Sequence, residues 1–124
     1  QCRDGNMNGA NELADSMHND DFVFHVKDHG DGYGHIIYNA YACGKPTIVR
    51  SSRYTNQLAQ ELFNKDNCID LDMMTIEDAV HKIKEVYNHK DALDQMSINA
   101  NKSFKNNVDF AYESEKISNW LGNL

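Results

Sequence analysis

The chain has few of the residues that mark several large classes of protein. Its three cysteines, Cys2, Cys43 and Cys68, are widely spaced and form no Cys-x-x-Cys pair, which argues against a disulfide framework and favours a reducing compartment. Lys and Arg number 12 against 19 Asp and Glu, without a basic block, so nucleic acid is not an expected partner. No apolar run approaches the roughly 18 residues that span a bilayer, and the polar N-terminus predicts no signal peptide. We therefore expect a cytoplasmic protein.

The overall composition is ordinary for a globular domain, with 40% hydrophobic and 25% charged residues among 124. Short apolar runs alternate with amphipathic segments, which predicts one α/β domain, residues 1–124, with a parallel sheet flanked by helices. The predicted strands are 22–26, 46–50 and 68–71. The predicted helices are 11–19, 34–43, 55–64, 75–87, 91–104 and 110–121. A capping box starts the fourth helix at Thr75. Trp120 and Phe110 are expected to be helix-packing residues rather than a platform for a sugar.

The stretch 31–49 is the most informative, because it predicts a glycine-rich turn, a short apolar helix and a buried strand. Gly44 can end the helix in the left-handed conformation, and the single proline, Pro46, cannot continue it. Gly32 and Gly34 would let backbone N–H groups approach a ligand at the helix N-terminus, where an anion is favoured. The turn follows the first predicted strand, and ligands of open α/β sheets bind outside the carboxyl ends of the strands. Phosphate binding is therefore predicted here, although any tight strand-to-helix turn also uses glycines.

This stretch resembles the donor-binding segment of the GT-B glycosyltransferases. In the large retaining group of that fold the pattern is Glu-Gly-Phe-Gly, a few apolar residues, Glu-Ala-Met-Ala-Cys-Gly-Lys-Pro and a strand. The matching residues are Gly32, Gly34, Ala40, Ala42, Cys43, Gly44, Lys45 and Pro46. Tyr33 replaces the Phe of the pattern, and Asp31 and Asn39 stand at its two Glu positions. The resemblance extends more weakly over about residues 22–121.

The resemblance implies a fold, an activity and partners. The fold would be a Rossmann-like sheet, the C-terminal nucleotide-sugar-binding domain of a retaining enzyme that uses no metal or other cofactor. The activity would be that of a hexosyltransferase-type glycosyltransferase, which moves a sugar from a nucleotide diphosphate to a carbohydrate, lipid or protein acceptor. The family's domain is longer and is joined to an acceptor domain. We therefore expect a partial domain that is inactive without the remainder of a two-domain enzyme, and an exposed sheet edge that favours self-association.

The resemblance also assigns roles to residues of the turn and helix. Asp31 is the predicted catalytic residue, because a carboxylate there would bind sugar hydroxyls or stabilise a developing oxocarbenium ion. The predicted donor-binding residues of this stretch are Gly32, Tyr33, Gly34, His35 and Asn39. The alternatives are structural: Asp31 as a turn or N-cap residue, His35 as a solvent-facing residue of the first turn, and Asn39 as a polar residue on the helix flank.

Residues after the first two predicted strands complete the predicted site. His25 and Lys27 are predicted to line it, with Lys27 neutralising phosphate, although an exposed lysine is the alternative. Arg50 and Arg53 follow the second strand and face the same crevice, or belong to a solvated loop.

Metal binding and cysteine catalysis are two other possible chemistries, and the sequence favours neither. His25, His29, Asp31 and His35 form a dense group of possible zinc ligands, but no His-x-x-x-His pair lies on a predicted helix, so no metal site is predicted. Cys43 lies on the apolar side of its helix and is expected in the core rather than as a nucleophile.

A second functional class fits the same residues. Because Asp31 and Asn39 depart from the family pattern, the alternative is a non-catalytic glycosyltransferase-like module that binds a nucleotide, a sugar or a protein. A flavodoxin-like or response-regulator domain is less favoured, because a receiver carries an acidic cluster at the end of its first strand and no strand that ends in such a cluster is predicted before Phe22.

Overall fold

The computed structural model describes residue 15 and residues 17–26, 34–108 and 110–123. Its strands are β1 (Val23–Phe24), β2 (Thr47–Val49) and β3 (Cys68–Asp70), and its helices are α1 (His35–Ala42), α2 (Ile76–Asn88), α3 (Lys90–Asn107) and α4 (Phe110–Gly122). Two 3-10 helices, Ser51–Tyr54 and Leu58–Leu62, lie between β2 and β3. The helix predicted over 11–19 is described only at residues 15 and 17–19, which are helical.

The three strands form one parallel sheet in the order β1-β2-β3. In this register Phe24 pairs with Ile48, and Ile48 pairs with Ile69. Each observed strand lies inside its predicted segment. The predicted α/β class with a parallel sheet flanked by helices is confirmed.

Successive side chains of a strand point to opposite faces of the sheet, so the apolar side chains are divided between two cores. One core contains Val49 and Cys68 with the buried face of α1, and the other contains Ile48 and Ile69 with Ala79 and Val86 of α2. Helix α3 contributes to both cores, through Ala100 and Met96 respectively. The two helical layers therefore lie against opposite faces of the sheet.

The end of α1 follows the predicted glycine stop. Gly44 has φ +68°, its N–H donates to the carbonyl of Tyr41 at 3.0 Å, and the Lys45 N–H donates to the carbonyl of Ala40 at 2.8 Å. These two bonds are those of a Schellman motif, which satisfies carbonyl groups that the last helical turn leaves without partners. Pro46 then enters β2.

The prediction of a helix over 55–64 is wrong. Asn56 has φ +64° and separates the two 3-10 helices, because a residue in the left-handed region interrupts an α-helical ladder. The Thr55 hydroxyl donates to the carbonyl of Ser52 at 3.0 Å instead of capping a helix. In this segment Leu58 is 78% exposed, whereas Ala59 and Leu62 are buried.

The last three helices match the predicted positions but not all the predicted packing. The Thr75 hydroxyl accepts the Asp78 N–H at 3.1 Å, which confirms the cap. The buried line on α2 runs through Ala79 and Val86, with Ile83 half-buried, while Ile76 and Tyr87 are exposed. On α4 the predicted packing of Trp120 is wrong, because this side chain is 63% exposed.

Candidate functional site

The site predicted from the sequence lies at the edge of the sheet where the parallel strands end. β1, β2 and β3 share this carboxyl edge because they run in one direction. Helix α1 connects β1 to β2, so its N-terminus at Gly34 and His35 returns to the same edge. Four predicted site residues, Lys27, Asp31, Gly32 and Tyr33, lie outside the residues that the structure describes.

Gly34 is held in a conformation that other residues rarely adopt. It is the N-cap of α1, with φ +67° and ψ 34°, and its carbonyl accepts the N–H groups of Ile37 and Tyr38 at 3.0 and 3.2 Å. A Cβ built on Gly34 would lie 3.0 Å from Cβ of Ala59 and 3.4 Å from Cε1 of Tyr54. The left-handed backbone and the close packing therefore favour glycine at this position without any ligand.

His35 and Asn39 are the exposed residues of the predicted donor-binding set on α1. They are four residues apart, so they lie one turn from each other on the same helix face. His25 is half-buried, and its backbone N–H donates to the carbonyl of Ile48 at 3.0 Å, which continues the β1–β2 ladder beyond Phe24. The predicted residues that the structure describes are thus distributed over the end of β1 and the first two turns of α1.

Two carboxylates at and just after the end of β3, which the sequence did not single out, hold the segment after β2 in place. Oδ1 of Asp70 accepts the Ser51 N–H at 3.1 Å, and Oδ2 of Asp72 accepts the Ser52 N–H at 2.9 Å. Nη1 of Arg50 lies 3.7 Å from Oδ1 of Asp72. The signal that could have identified them is the position of both Asp residues at the end of a parallel strand, next to the polar segment that follows the neighbouring strand.

The electrostatic environment of Asp72 follows from these contacts. The hydrogen bonds from Ser52 lower the pKa of the Asp72 carboxyl, and the positive charges of Arg50 and Arg53 act in the same direction. Arg50 is therefore engaged in an ion pair at the carboxyl edge. It is less free to meet an anionic ligand than the sequence alone suggested.

Arg53 has a different environment from Arg50. Its Nε is buried and has no hydrogen-bond partner in the described part of the chain, and the same holds for Oε1 of Gln57. Both side chains belong to the segment that carries Tyr54 and Ala59, the two residues next to Gly34. Two buried polar atoms that have no partner among the described residues therefore lie in the segment that carries the neighbours of Gly34.

Cys43 at the end of α1, Cys68 in β3 and Tyr41 in α1 have environments that fit structural roles. Cys43 is half-buried against the core, and burial raises the pKa of its thiol, which disfavours the nucleophilic thiolate. Burial likewise raises the pKa of Cys68 to about 12. The buried Tyr41 hydroxyl donates to Oδ1 of Asn67 at 2.9 Å and lies 3.2 Å from Oγ1 of Thr47, so it joins α1 to the sheet.

Two further observations concern other kinds of site. Within residues 15, 17–26, 34–108 and 110–123, no three His, Cys, Asp or Glu side chains converge as metal ligands, and His29 and Asp31 of the predicted histidine group lie outside these ranges. None of the helices in this part of the chain is both long and apolar enough to cross a membrane.

A polar cleft of about 340 Å³ lies away from the predicted donor-binding residues. It is formed between the segment 61–66 and α3, with Glu61, Asn64, Asp66 and Lys102 among its lining residues. Two of its amides are engaged within the chain: Asn99 Nδ2 donates to the carbonyl of Asp66 at 3.1 Å, and Asn107 Nδ2 donates to the carbonyl of Ser103 at 2.9 Å. The cleft therefore lends no support to the predicted site.

Comparisons with models of protein families, with curated proteins and with solved structures find no significant match.

Proposed function

We propose that this chain is the nucleotide-sugar-binding part of a retaining glycosyltransferase, with a Rossmann-like sheet of the GT-B type. The observation that carries the proposal is the start of α1: a left-handed Gly34 begins a helix at the carboxyl edge of a parallel sheet, with His35 and Asn39 exposed beside it. This arrangement supports the proposal because unpaired N–H groups and the helix dipole attract a phosphate at such a position. The resemblance of residues 31–46 to the family's donor segment supports it independently.

In this proposal each residue has a defined part in glycosyl transfer. N–H groups at the start of α1 bind the diphosphate, Lys27 neutralises its charge, and His25 lines the site. The amide of Asn39 bonds the ribose hydroxyls in place of the family's Glu. Asp31 stabilises the positive charge that develops on the sugar as the diphosphate leaves. No divalent metal is required, because the helix N-terminus and basic residues take over its role.

Donor binding is the first test of this proposal. Isothermal titration of the chain with UDP-, GDP- and ADP-sugars should detect binding of at least one class, and Asn39→Ala should weaken it. Asp94→Ala, which changes an exposed acidic residue on α3, is the control and should leave affinity unchanged. Absence of binding to all three classes would contradict the proposal.

Turnover of the intact two-domain enzyme tests the role of Asp31. Asp31→Ala should lower kcat far more than it changes KM, because the carboxylate is proposed to act on charge that forms only in the transition state. We expect the 124-residue chain alone to transfer no sugar, since the acceptor must be positioned and water excluded by a second wall of the cleft. Transfer by the isolated chain at a rate comparable to that of the intact enzyme would contradict this picture.

A second candidate function is a non-catalytic module that binds a nucleotide, sugar or protein partner. The presence of Asp31 and Asn39 at both acidic positions of the family pattern favours it. Tight donor binding without turnover in the intact protein, and without any effect of Asp31→Ala, would select this candidate over the enzyme.

A further inference from the structure

Helix α4 carries an apolar stripe that the described residues leave exposed. The side chains of residues 111–122 are all exposed, and Ile117, Trp120 and Leu121, which form the stripe, are 59%, 63% and 55% exposed. These residues share one face of the helix because they stand at positions i, i+3 and i+4. A helix of 13 residues is only marginally stable in water without tertiary packing. A partner that covers the apolar stripe is therefore expected.

The solvent face of α3 has an apolar end and a basic end. Ile98, Lys102 and Lys105 follow one another at intervals of four and three residues, so they form a line along the helix, here called the basic line. Ile98 is 59% exposed, and both lysines are exposed. The basic line borders a groove of about 500 Å³ between α3 and the end of α1, and the described residues that line this groove include no Asp or Glu. The groove therefore suits a partner with an apolar end and a negative end.

The two helices offer matching groups in an antiparallel register. On α4, Glu113 precedes Trp120 by seven residues. On α3, Ile98 precedes Lys105 by the same interval, which is about two helical turns. In an antiparallel pair Trp120 therefore lies against Ile98, and at the other end Glu113 lies against Lys105. A parallel pair would set the lysine against the tryptophan and leave both charges without a partner.

The charges around the start of α4 favour this pairing. Burial raises the pKa of the Tyr38 hydroxyl, and the negative charges of Glu61 and Glu113 raise it further. The nearby Lys116 is directed to the ring of Tyr112, with its Nζ 5.8 Å from the ring centroid. Negative charge therefore accumulates at the start of α4, and a lysine from a partner would relieve it.

The connection between α3 and α4 keeps this contact from forming within one chain. Only residues 108 and 109 join the two helices, and Val108 packs against the core cluster that contains Ala100. The residues of the basic line are about 140–200° around α3 from Ala100, so they are on the side of the helix away from that core. While Val108 stays packed, α4 of the same chain does not reach the basic line. A second copy has no such constraint.

We propose that the apolar stripe of α4 in one copy packs antiparallel on the basic line of α3 in a second copy, and that the contact is reciprocal in a two-fold dimer. Each copy then contributes both surfaces, and the dimer contains the contact twice. This doubling brings a small contact closer to the roughly 1,200 Å² at which specific interfaces begin. The inference does not rest on the proposed function.

Sedimentation equilibrium of the full chain, at concentrations up to about 1 mM, measures the association directly. Trp120 is the single tryptophan, so its fluorescence emission should shift to shorter wavelength as the dimer forms. Lys105→Glu and Glu113→Lys should each weaken the dimer at least tenfold, because each sets like charges against each other. The double variant exchanges the two charges and should regain the original affinity to within threefold. Lys82→Glu, the same change at an exposed lysine of α2, is the control and should change affinity less than twofold.

The variants of Trp120 and Lys105 also define the results that would overturn the inference. A protein that stays monomeric up to about 1 mM would do so. So would a dimer that is insensitive to both Trp120→Ala and Lys105→Glu, as pairing through a sheet edge would be. If the apolar stripe packs within its own chain instead, Trp120→Ala should lower the urea midpoint of a protein that is monomeric, which would also reject the dimer. Far-UV circular dichroism checks that each variant folds, and Lys105→Gln carries the test if Lys105→Glu does not.

Discussion

Replacement of Gly34 by alanine should destabilise the protein far more than the same replacement at Gly44. Both glycines are in the left-handed region, with φ +67° and φ +68°. This conformation costs a non-glycine residue about 1–2 kcal/mol. Part of that cost, about 0.4–1 kcal/mol, is offset because alanine has less conformational freedom than glycine in the unfolded chain. From the backbone alone, each substitution should therefore lower the free energy of unfolding by about 1 kcal/mol.

The surroundings make the two positions different. At Gly44 a new Cβ would lie 3.6 Å from the Ser97 carbonyl oxygen and 3.7 Å from Cβ of Asn101, which is ordinary contact. At Gly34 it would lie 3.0 Å from Cβ of Ala59, which is buried and has no longer side chain that could rotate away. Overpacking of this kind typically costs about 1–3 kcal/mol. We expect a total loss of about 2–4 kcal/mol for Gly34→Ala.

Urea unfolding followed by circular dichroism measures both losses directly. Ala59→Gly in the Gly34→Ala background removes the opposing methyl group, so it should recover about 1 kcal/mol relative to the sum of the single changes. Equal losses for Gly34→Ala and Gly44→Ala, or no recovery in the double variant, would refute the close packing at Ala59. The same geometry means that a bulky substitution at Gly34 disturbs the fold, so it cannot serve alone as a test of ligand binding.

Three other substitutions test the core, the carboxyl edge and the proposed site. Tyr41→Phe should lower the free energy of unfolding by about 1–2 kcal/mol, because it removes the buried hydroxyl that bonds Asn67 and Thr47, and an unchanged urea midpoint would contradict this. Asp72→Asn should reduce stability at neutral pH: the pKa of this carboxyl is lowered on folding, so its contribution is present above an unfolded pKa of about 3.9 and is lost as pH falls through the folded value. Urea midpoints of the two proteins should therefore converge as the pH falls through this lowered folded pKa, and a constant difference would argue against the ionised contact. Asn39→Glu should tighten nucleotide-sugar binding by about 1 kcal/mol in titration calorimetry if Asn39 meets the ribose, whereas weaker binding would show a site built around the amide or no nucleotide there.

Local chemistry made several elements predictable. The Gly44 stop and the Thr75 cap depend on groups within a few residues of each other, so the sequence contains all of the information that they need. The strands were also predictable, because consecutive apolar residues, Ile48 with Val49 and Cys68 with Ile69, lie between polar segments. Local periodicity also predicted a helix in the segment after β2, because Leu58 and its neighbours have helical spacing, and that prediction was wrong.

The outcome in that segment depends on distant residues. Asp70 and Asp72, about twenty residues further along the chain, accept the N–H groups of Ser51 and Ser52 and hold the first 3-10 turn. These hydrogen bonds join the ends of two neighbouring strands, so the residue spacing within the segment after β2 does not predict them. The burial of Nε of Arg53 and Oε1 of Gln57, without hydrogen bonds from the described residues, is likewise a property of the folded packing, since burial of an individual atom has no signature in the sequence.

Residue patterns alone predicted the α/β class, the positions of the three strands and the start and end of α1, because these follow from apolar periodicity and from glycine, proline and cap residues acting over a few positions. The tertiary structure alone decided which side chains face solvent and which arginine is engaged by a carboxylate. It also decided what surrounds Gly34: a Cβ at this left-handed position would lie only 3.0 Å from the methyl group of Ala59. Exposure, ion pairing and close approach depend on residues that are far apart in the chain and meet only when the sheet and its helices have assembled.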